Sequence, residues 1–169
     1  MALRVRAVLP APLMADVFRI WLETDHNLAF RSGGWAYVLA EGSALLGAAG
    51  GERTASPERI ALAGLVEALK GVPAGSAVEV HSASRPVIAI PRRLAAAAAD
   101  PPADDLELWA QLTTALKGRS PRFVPATSAP RTPTAFAAAW AELARDKAKT
   151  SPFRAAIPKT NLAKAGVPA

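Results

Sequence analysis

Thr54-Ala55-Ser56-Pro57-Glu58-Arg59-Ile60-Ala61-Leu62-Ala63-Gly64-Leu65-Val66-Glu67-Ala68-Leu69-Lys70-Gly71 is the stretch whose reading decides the fold. It spells a helix from Ser56 to about Lys70. Ser56 is suited to accept a hydrogen bond from an orphan backbone N–H, and Pro57 fits the first helical position, where a missing donor costs nothing. Glu58 stands where the helix dipole favours negative charge, and Gly71 with Pro73 beyond it reads as a C-terminal stop. The body from Ile60 to Leu69 is apolar on nearly every side, so this helix belongs inside the protein, covered on more than one face. The small residues Ala61, Ala63 and Gly64 would let a sheet come close to its backbone.

Working outward, strands flank this helix. On its N-terminal side, Val17-Phe18-Arg19-Ile20-Trp21-Leu22-Glu23-Thr24-Asp25 alternates with period two. The loop from His26 to Gly34 follows, then a second strand, Trp35-Ala36-Tyr37-Val38-Leu39-Ala40. The turn Glu41-Gly42-Ser43 leads to a third strand over Ala44 to Ala49, which should pair antiparallel with the second. On the C-terminal side, Ala77-Val78-Glu79-Val80-His81-Ser82 follows a strand–helix order and can run parallel to the first strand through a right-handed crossover. Short helical pieces are expected from Arg85 to Ile90 and from Arg92 to Ala99, and an amphipathic helix from Asp104 to Lys117. A proline-flanked edge strand is expected at Pro121 to Pro125 and a last helix from Thr134 to Lys149.

The 169 residues suit one domain with length left for extensions. Residues 1–16, broken by Pro10 and Pro12, read as an N-terminal extension of the mature protein, residues 17–149 as the domain, and residues 150–169 as a flexible basic tail. The chain has no cysteine, which rules out disulfides and thiolate metal sites and suits a reducing compartment. No apolar run is long enough to span a bilayer, so a cytoplasmic protein without a membrane partner is expected. A formal charge of +6 favours acidic partners, nucleic acid first.

The order strand, strand, strand, helix, strand, short helices, helix, strand, helix is that of the ribonuclease H fold. Several local sequences resemble the bacterial type I enzymes. Thr24-Asp25-His26-Asn27 is similar to that family's Thr-Asp-Gly-Ser. Gly33-Gly34-Trp35-Ala36 resembles its Gly-Gly-aromatic start of the second strand, and Thr54 to Leu69 its Thr-Asn-Asn-Arg-Met-Glu-Leu helix. His81-Ser82-Ala83-Ser84 resembles Ser-Thr-Asp-Ser, Asp105 to Leu112 its Asp-Leu-Trp helix, and Trp140 to Arg145 its Ala-Asp-x-Leu-Ala ending. The resemblance covers roughly Phe18 to Lys149. It implies an α/β protein of ribonuclease H-like fold, with a mixed five-stranded sheet and helices on both faces.

The chemistry implied by that resemblance is hydrolysis of the RNA strand of an RNA–DNA hybrid, with carboxylates holding two divalent metals that clamp the attacking and leaving oxygens. Carried over by position, the first acid is present as Asp25. The other three fall on Ala61, Ala83 and Ala141, and the segment matching the family's histidine-bearing loop, Ala126 to Thr132, has no histidine. Nearby acids do not substitute simply. Glu58 lies one turn from Ala61, Glu79 lies deeper along its strand than Ala83, and Glu142 is rotated about 100° from Ala141. No cofactor is expected, and Asp25 alone offers magnesium only a weak contact.

For a nucleic-acid backbone the candidates are Thr54 and Ser56, at the helix start where the resemblance puts a substrate phosphate, with Arg53, Arg59, Arg85, Arg92 and Arg93 as a basic face. His26 and His81 could flank the same cleft. Each also has an ordinary structural use: Ser56 as a cap, the arginines as solvated charge, the histidines as satisfied polar groups. Three function classes follow. The expected one is a catalytically inactive ribonuclease H-like protein that binds RNA, an RNA–DNA hybrid or structured RNA. The others are a protein-interaction scaffold or regulatory subunit, and a residual metal-dependent ribonuclease using Asp25.

Overall fold

The computed structural model describes Val17 to Pro168, so the expected N-terminal extension lies outside the described residues. Three long strands open the chain: β1 (Val17–Asn27), β2 (Ser32–Glu41) and β3 (Ala44–Glu52). They form an antiparallel meander, with Asp25 opposite Gly34 and Glu23 opposite Ala36. The first two strands run further than their alternation indicates, which shortens the connecting turn to the residues between Asn27 and Ser32. The β2–β3 turn holds Gly42 at φ 59°, in the left-handed region that glycine enters without a Cβ clash.

The helix α1 (Pro57–Leu69) then crosses over, and β4 (Ala77–Ser82) returns parallel to β1. Ser56 caps α1 by accepting from the Arg59 N–H, as its position requires. The other end differs from expectation. Lys70 is right-handed and Gly71 has no positive φ; the helix tightens into single short-range bonds from Lys70, Gly71 and Val72. Gly71 is needed for space instead, because a Cβ there would lie 2.8 Å from Leu39 Cδ2.

Two short helices follow, α2 (Arg85–Ile88) and α3 (Ile90–Ala96), then α4 (Leu106–Ala115), β5 (Arg122–Pro125) and α5 (Pro133–Lys147). The segment expected to be a flexible tail is structured: it forms β6 (Phe153–Ala156) and α6 (Lys159–Leu162). The sheet therefore has six strands rather than five, in the order β5-β4-β1-β2-β3-β6. The physical reason is the free edge of β3. β6 pairs antiparallel with it from Ala48 to Gly51, and Ile157, Leu162 and Ala165 are buried behind it.

The core has two sides. α1 covers one face of the sheet, where Ile20, Leu22, Trp35, Tyr37 and Leu39 meet Ile60, Leu62 and Leu65. α4 packs on α1 through Leu108, Trp109 and Leu112, which explains why α1 is apolar nearly all round. α5 covers the opposite face, where Ala36 and Ala49 meet Ala141 and Ala144. Trp21 and Val38 complete that side with Ile157 and Leu162, against Phe136 and Trp140. The α5–β2 approach needs Gly34, since a Cβ there would lie 2.2 Å from Ala141 O and 2.4 Å from Arg145 N.

Candidate functional site

The ends of β1 and β4, the start of α1 and the body of α5 converge beside Asp25. This residue sits near the end of β1, half-buried, and its Oδ1 accepts from the following His26 N–H. Its Oδ2 lies 2.8 Å from Nη1 of Arg145. Arg145 is four residues after Ala141, hence on the same face of α5. A second acid, Asp146, accepts from the same guanidinium at 2.9 Å. That bond first, and the charge of Asp25 after it, raise the pKa of Arg145, so the cation is permanent.

Two residues before Asp25, on the same face of β1, Glu23 is buried. Its Oε2 accepts from the Ala83 N–H at 2.8 Å and lies 3.2 Å from the Ser82 hydroxyl, which donates to Leu22 O. Burial pushes this carboxyl from its ordinary value of 4.5 up to about 7, against the opposing pull of the Ala83 N–H and the polar Ser82 side chain. On the other face, Thr24 and Ser84 share a hydrogen bond of 2.6 Å. Sequence reasoning overlooked both Glu23 and Arg145. The available signals were the i, i+2 spacing of Glu23 and Asp25 on one strand, and the i, i+4 spacing of Ala141 and Arg145 on one helix.

The remaining positions that the resemblance assigns to acids carry methyl groups. Ala61 and Ala141 are fully buried in the two opposite cores, while Ala83 is exposed at the end of β4. Among the described residues no group of three or more His, Cys, Asp or Glu side chains is placed to hold a metal ion. The donor set does not fit a pair of divalent cations: methyl groups cannot ligate, and the carboxylate of Asp25 already faces an arginine.

The proposed basic face divides into committed and free cations. Arg59 is committed, with Glu52, Asp105 and Glu107 at 2.8, 2.9 and 2.8 Å, and it ties α1 to β3 and α4. Arg93 lies 3.8 Å from Glu58 and 3.6 Å from Asp100, and covers the Trp109 ring. Arg53 is exposed and, among the described residues, donates only to the Thr150 carbonyl. Arg85 and Arg92 are exposed, and among the described residues neither forms an ion pair. Both line a cavity of about 410 Å³ with Ser82, Ala83, Pro125 and Ala126, beyond the ends of the parallel strands β4 and β5.

Thr54 is exposed with φ 50°, and the Ser56 hydroxyl is engaged in its cap. His26 Nε2 donates to Ala55 O at 2.7 Å, joining β1 to the loop before α1. His81 stacks on Trp21 and lies 3.2 Å from Glu79. Both histidines thus have structural partners.

No family model matches the sequence, and no curated protein matches it. Solved structures do match. LC9-RNase H1, described as a type 1 RNase H with the type 2 active-site motif, aligns with 83% of this chain and 78% of its own, at 13% identity and a TM-score of 0.60. The N-terminal RNase H domain of Rv2228c from Mycobacterium tuberculosis, solved as a fusion with maltose-binding protein, aligns with 79% of this chain and 96% of its own, at 18% identity and a TM-score of 0.56. The central helix, the parallel return of β4 and these two alignments agree: the chain has the ribonuclease H-like fold.

Proposed function

We propose that this protein binds nucleic acid (an RNA–DNA hybrid or structured RNA) across the end of its sheet and does not hydrolyse it. The observation that carries this reading is the Asp25–Arg145 pair. Hydrolysis by two metals needs several carboxylates to gather the cations. Here one carboxylate remains at the positions assigned by resemblance, and the positive charge it meets belongs to the protein itself. A fixed guanidinium can neutralise charge but cannot bind and activate a water as a metal does.

Binding is supported by the unpaired cations around that point. Arg85 and Arg92 project at the β4–β5 end with Arg53 exposed near the start of α1, in a chain of net charge +6. Guanidinium groups suit phosphate because their planar donors match its oxygens. Phosphate contacts release counterions, so affinity must fall steeply with salt.

The test is the anisotropy of a labelled RNA–DNA hybrid titrated with protein over a salt series. The wild type is expected to bind with a steep salt slope. The substitutions Arg85→Ala and Arg92→Ala should each reduce that slope by about 1. Binding indifferent to salt or to both substitutions contradicts the reading. A stoichiometric protein partner that survives nuclease treatment, with no hybrid binding, would replace it with the scaffold reading.

A further inference from the structure

Beside the arginine-lined end of the sheet, three segments meet at the tip of the β1–β2 hairpin. The Arg31 carbonyl accepts from Ala55 N–H at 2.9 Å, which ties the hairpin to the loop before α1. Arg53, in that loop, donates to Thr150 O just beyond α5. Lys149 completes the circle, its Nζ 5.1 Å from the centre of the Phe30 ring. Leu28 and Phe30 stand out at this tip: they are 82% and 63% exposed in a protein whose other aromatic side chains are largely packed inside. The Phe30 N–H is held by Asn27 Oδ1 at 3.1 Å, so the turn that carries the ring is itself tied down.

Two further features belong to this patch. Arg31 and Thr54, on the two loops that face each other here, have φ of 54° and 50°, a conformation that Asp105 and Arg131 also adopt elsewhere. Residues with a Cβ enter that region at some cost, and such strain collects at binding sites. Lys149 places its charge over the ring, while Arg31 and Arg53 stand on the adjoining loops; Lys149 also lies 3.5 Å from Asp146, which is shared with Arg145.

We infer that Phe30 is a stacking platform for an unpaired base, with Arg31, Arg53 and Lys149 taking the neighbouring phosphates, so that a single strand leaving the bound duplex is held at the hairpin tip. An exposed ring flanked by cations is the combination that binds single strands without reading sequence, because every base has a face to stack and every nucleotide a phosphate. An apolar protein anchor would gain nothing from the lysine over that ring or from the arginines on the adjoining loops. The inference rests on the nucleic-acid reading of the chain and adds to it the class of ligand at a second, adjoining surface.

The test compares a blunt RNA–DNA hybrid with the same hybrid carrying a single-stranded overhang, using wild type, Phe30→Ala and Phe30→Trp. Wild type should bind the overhang substrate more tightly than the blunt one. Phe30→Ala should lose that gain by roughly fivefold or more, the loss of one stacked base, and Phe30→Trp should keep it. All three should bind the blunt hybrid alike. If the overhang adds nothing, or Phe30→Ala keeps the gain, the platform is refuted while the duplex site stands. If wild type binds neither substrate, the nucleic-acid reading falls and the platform with it.

Discussion

At Glu23 a carboxyl group is buried beneath α5 with the Ala83 N–H donating to one oxygen and the Ser82 hydroxyl close by, and burial wins: its pKa rises from 4.5 to about 7. The sign of the effect on stability follows. Between those values the folded protein keeps a proton that the unfolded chain has released, so stability falls as pH rises from about 4.5 to about 7 and is level above. The full loss is on the order of 3 kcal/mol. The substitution Glu23→Gln keeps shape and hydrogen-bond acceptor but removes the titration. Urea unfolding at pH 5 and pH 8 should show wild type less stable at the higher pH, with the variant flat and more stable than wild type there. A wild type equally stable at both would contradict the buried neutral acid. In the sequence, Glu23 reads as an outward residue of an alternating strand, because nothing local says that a helix from more than a hundred residues later will cover that face. Arg145 was hidden for the same reason: its partner Asp25 is 120 positions away. The assignment of acid positions to Ala61, Ala83 and Ala141, by contrast, rests on local motifs alone and remains an expectation from the resemblance.

At the scale of elements, the parts with strong local signals were read well: α1 with its cap, the β2–β3 hairpin, and the parallel return at β4. What failed was the end of the chain. β6 has only four residues, and its conformation is set by the free edge of β3 rather than by any pattern of its own. Scattered lysines between Thr150 and Ala169 made it resemble a solvated tail. Yet Ile157 and Leu162 are buried, a contribution of roughly 3–6 kcal/mol for the pair. A chain ended after Lys149 should therefore unfold at markedly lower temperature or urea concentration than the full chain, measured by circular dichroism. An unchanged transition would mean that β6 and α6 contribute nothing to the fold. The reading of residues 150–169 as a flexible basic tail predicts that unchanged transition, so the experiment separates the two accounts.

Over the whole molecule, the two faces of the sheet do different work. The α1 face is a conventional core closed by α4. The α5 face brings helix and strand to close contact through Gly34, Ala36, Ala141 and Ala144, and so delivers Arg145 to Asp25. A bulky residue at any of these positions would push α5 off the sheet and carry Arg145 with it. One of these small side chains, Ala141, also stands at a position that the resemblance assigns to an acid. Around that neutralised point the exposed arginines keep a positive surface. The fold, the net positive charge and a carboxylate paired with an internal cation together support the proposal that the protein holds a polyanion and leaves it intact. The most direct measurement is incubation of a labelled RNA–DNA hybrid with the protein, at a salt concentration where it is fully bound, in magnesium and in manganese. The account predicts a bound strand that stays full length in both. Metal-dependent cleavage of the RNA strand that disappears with Asp25→Asn would contradict it.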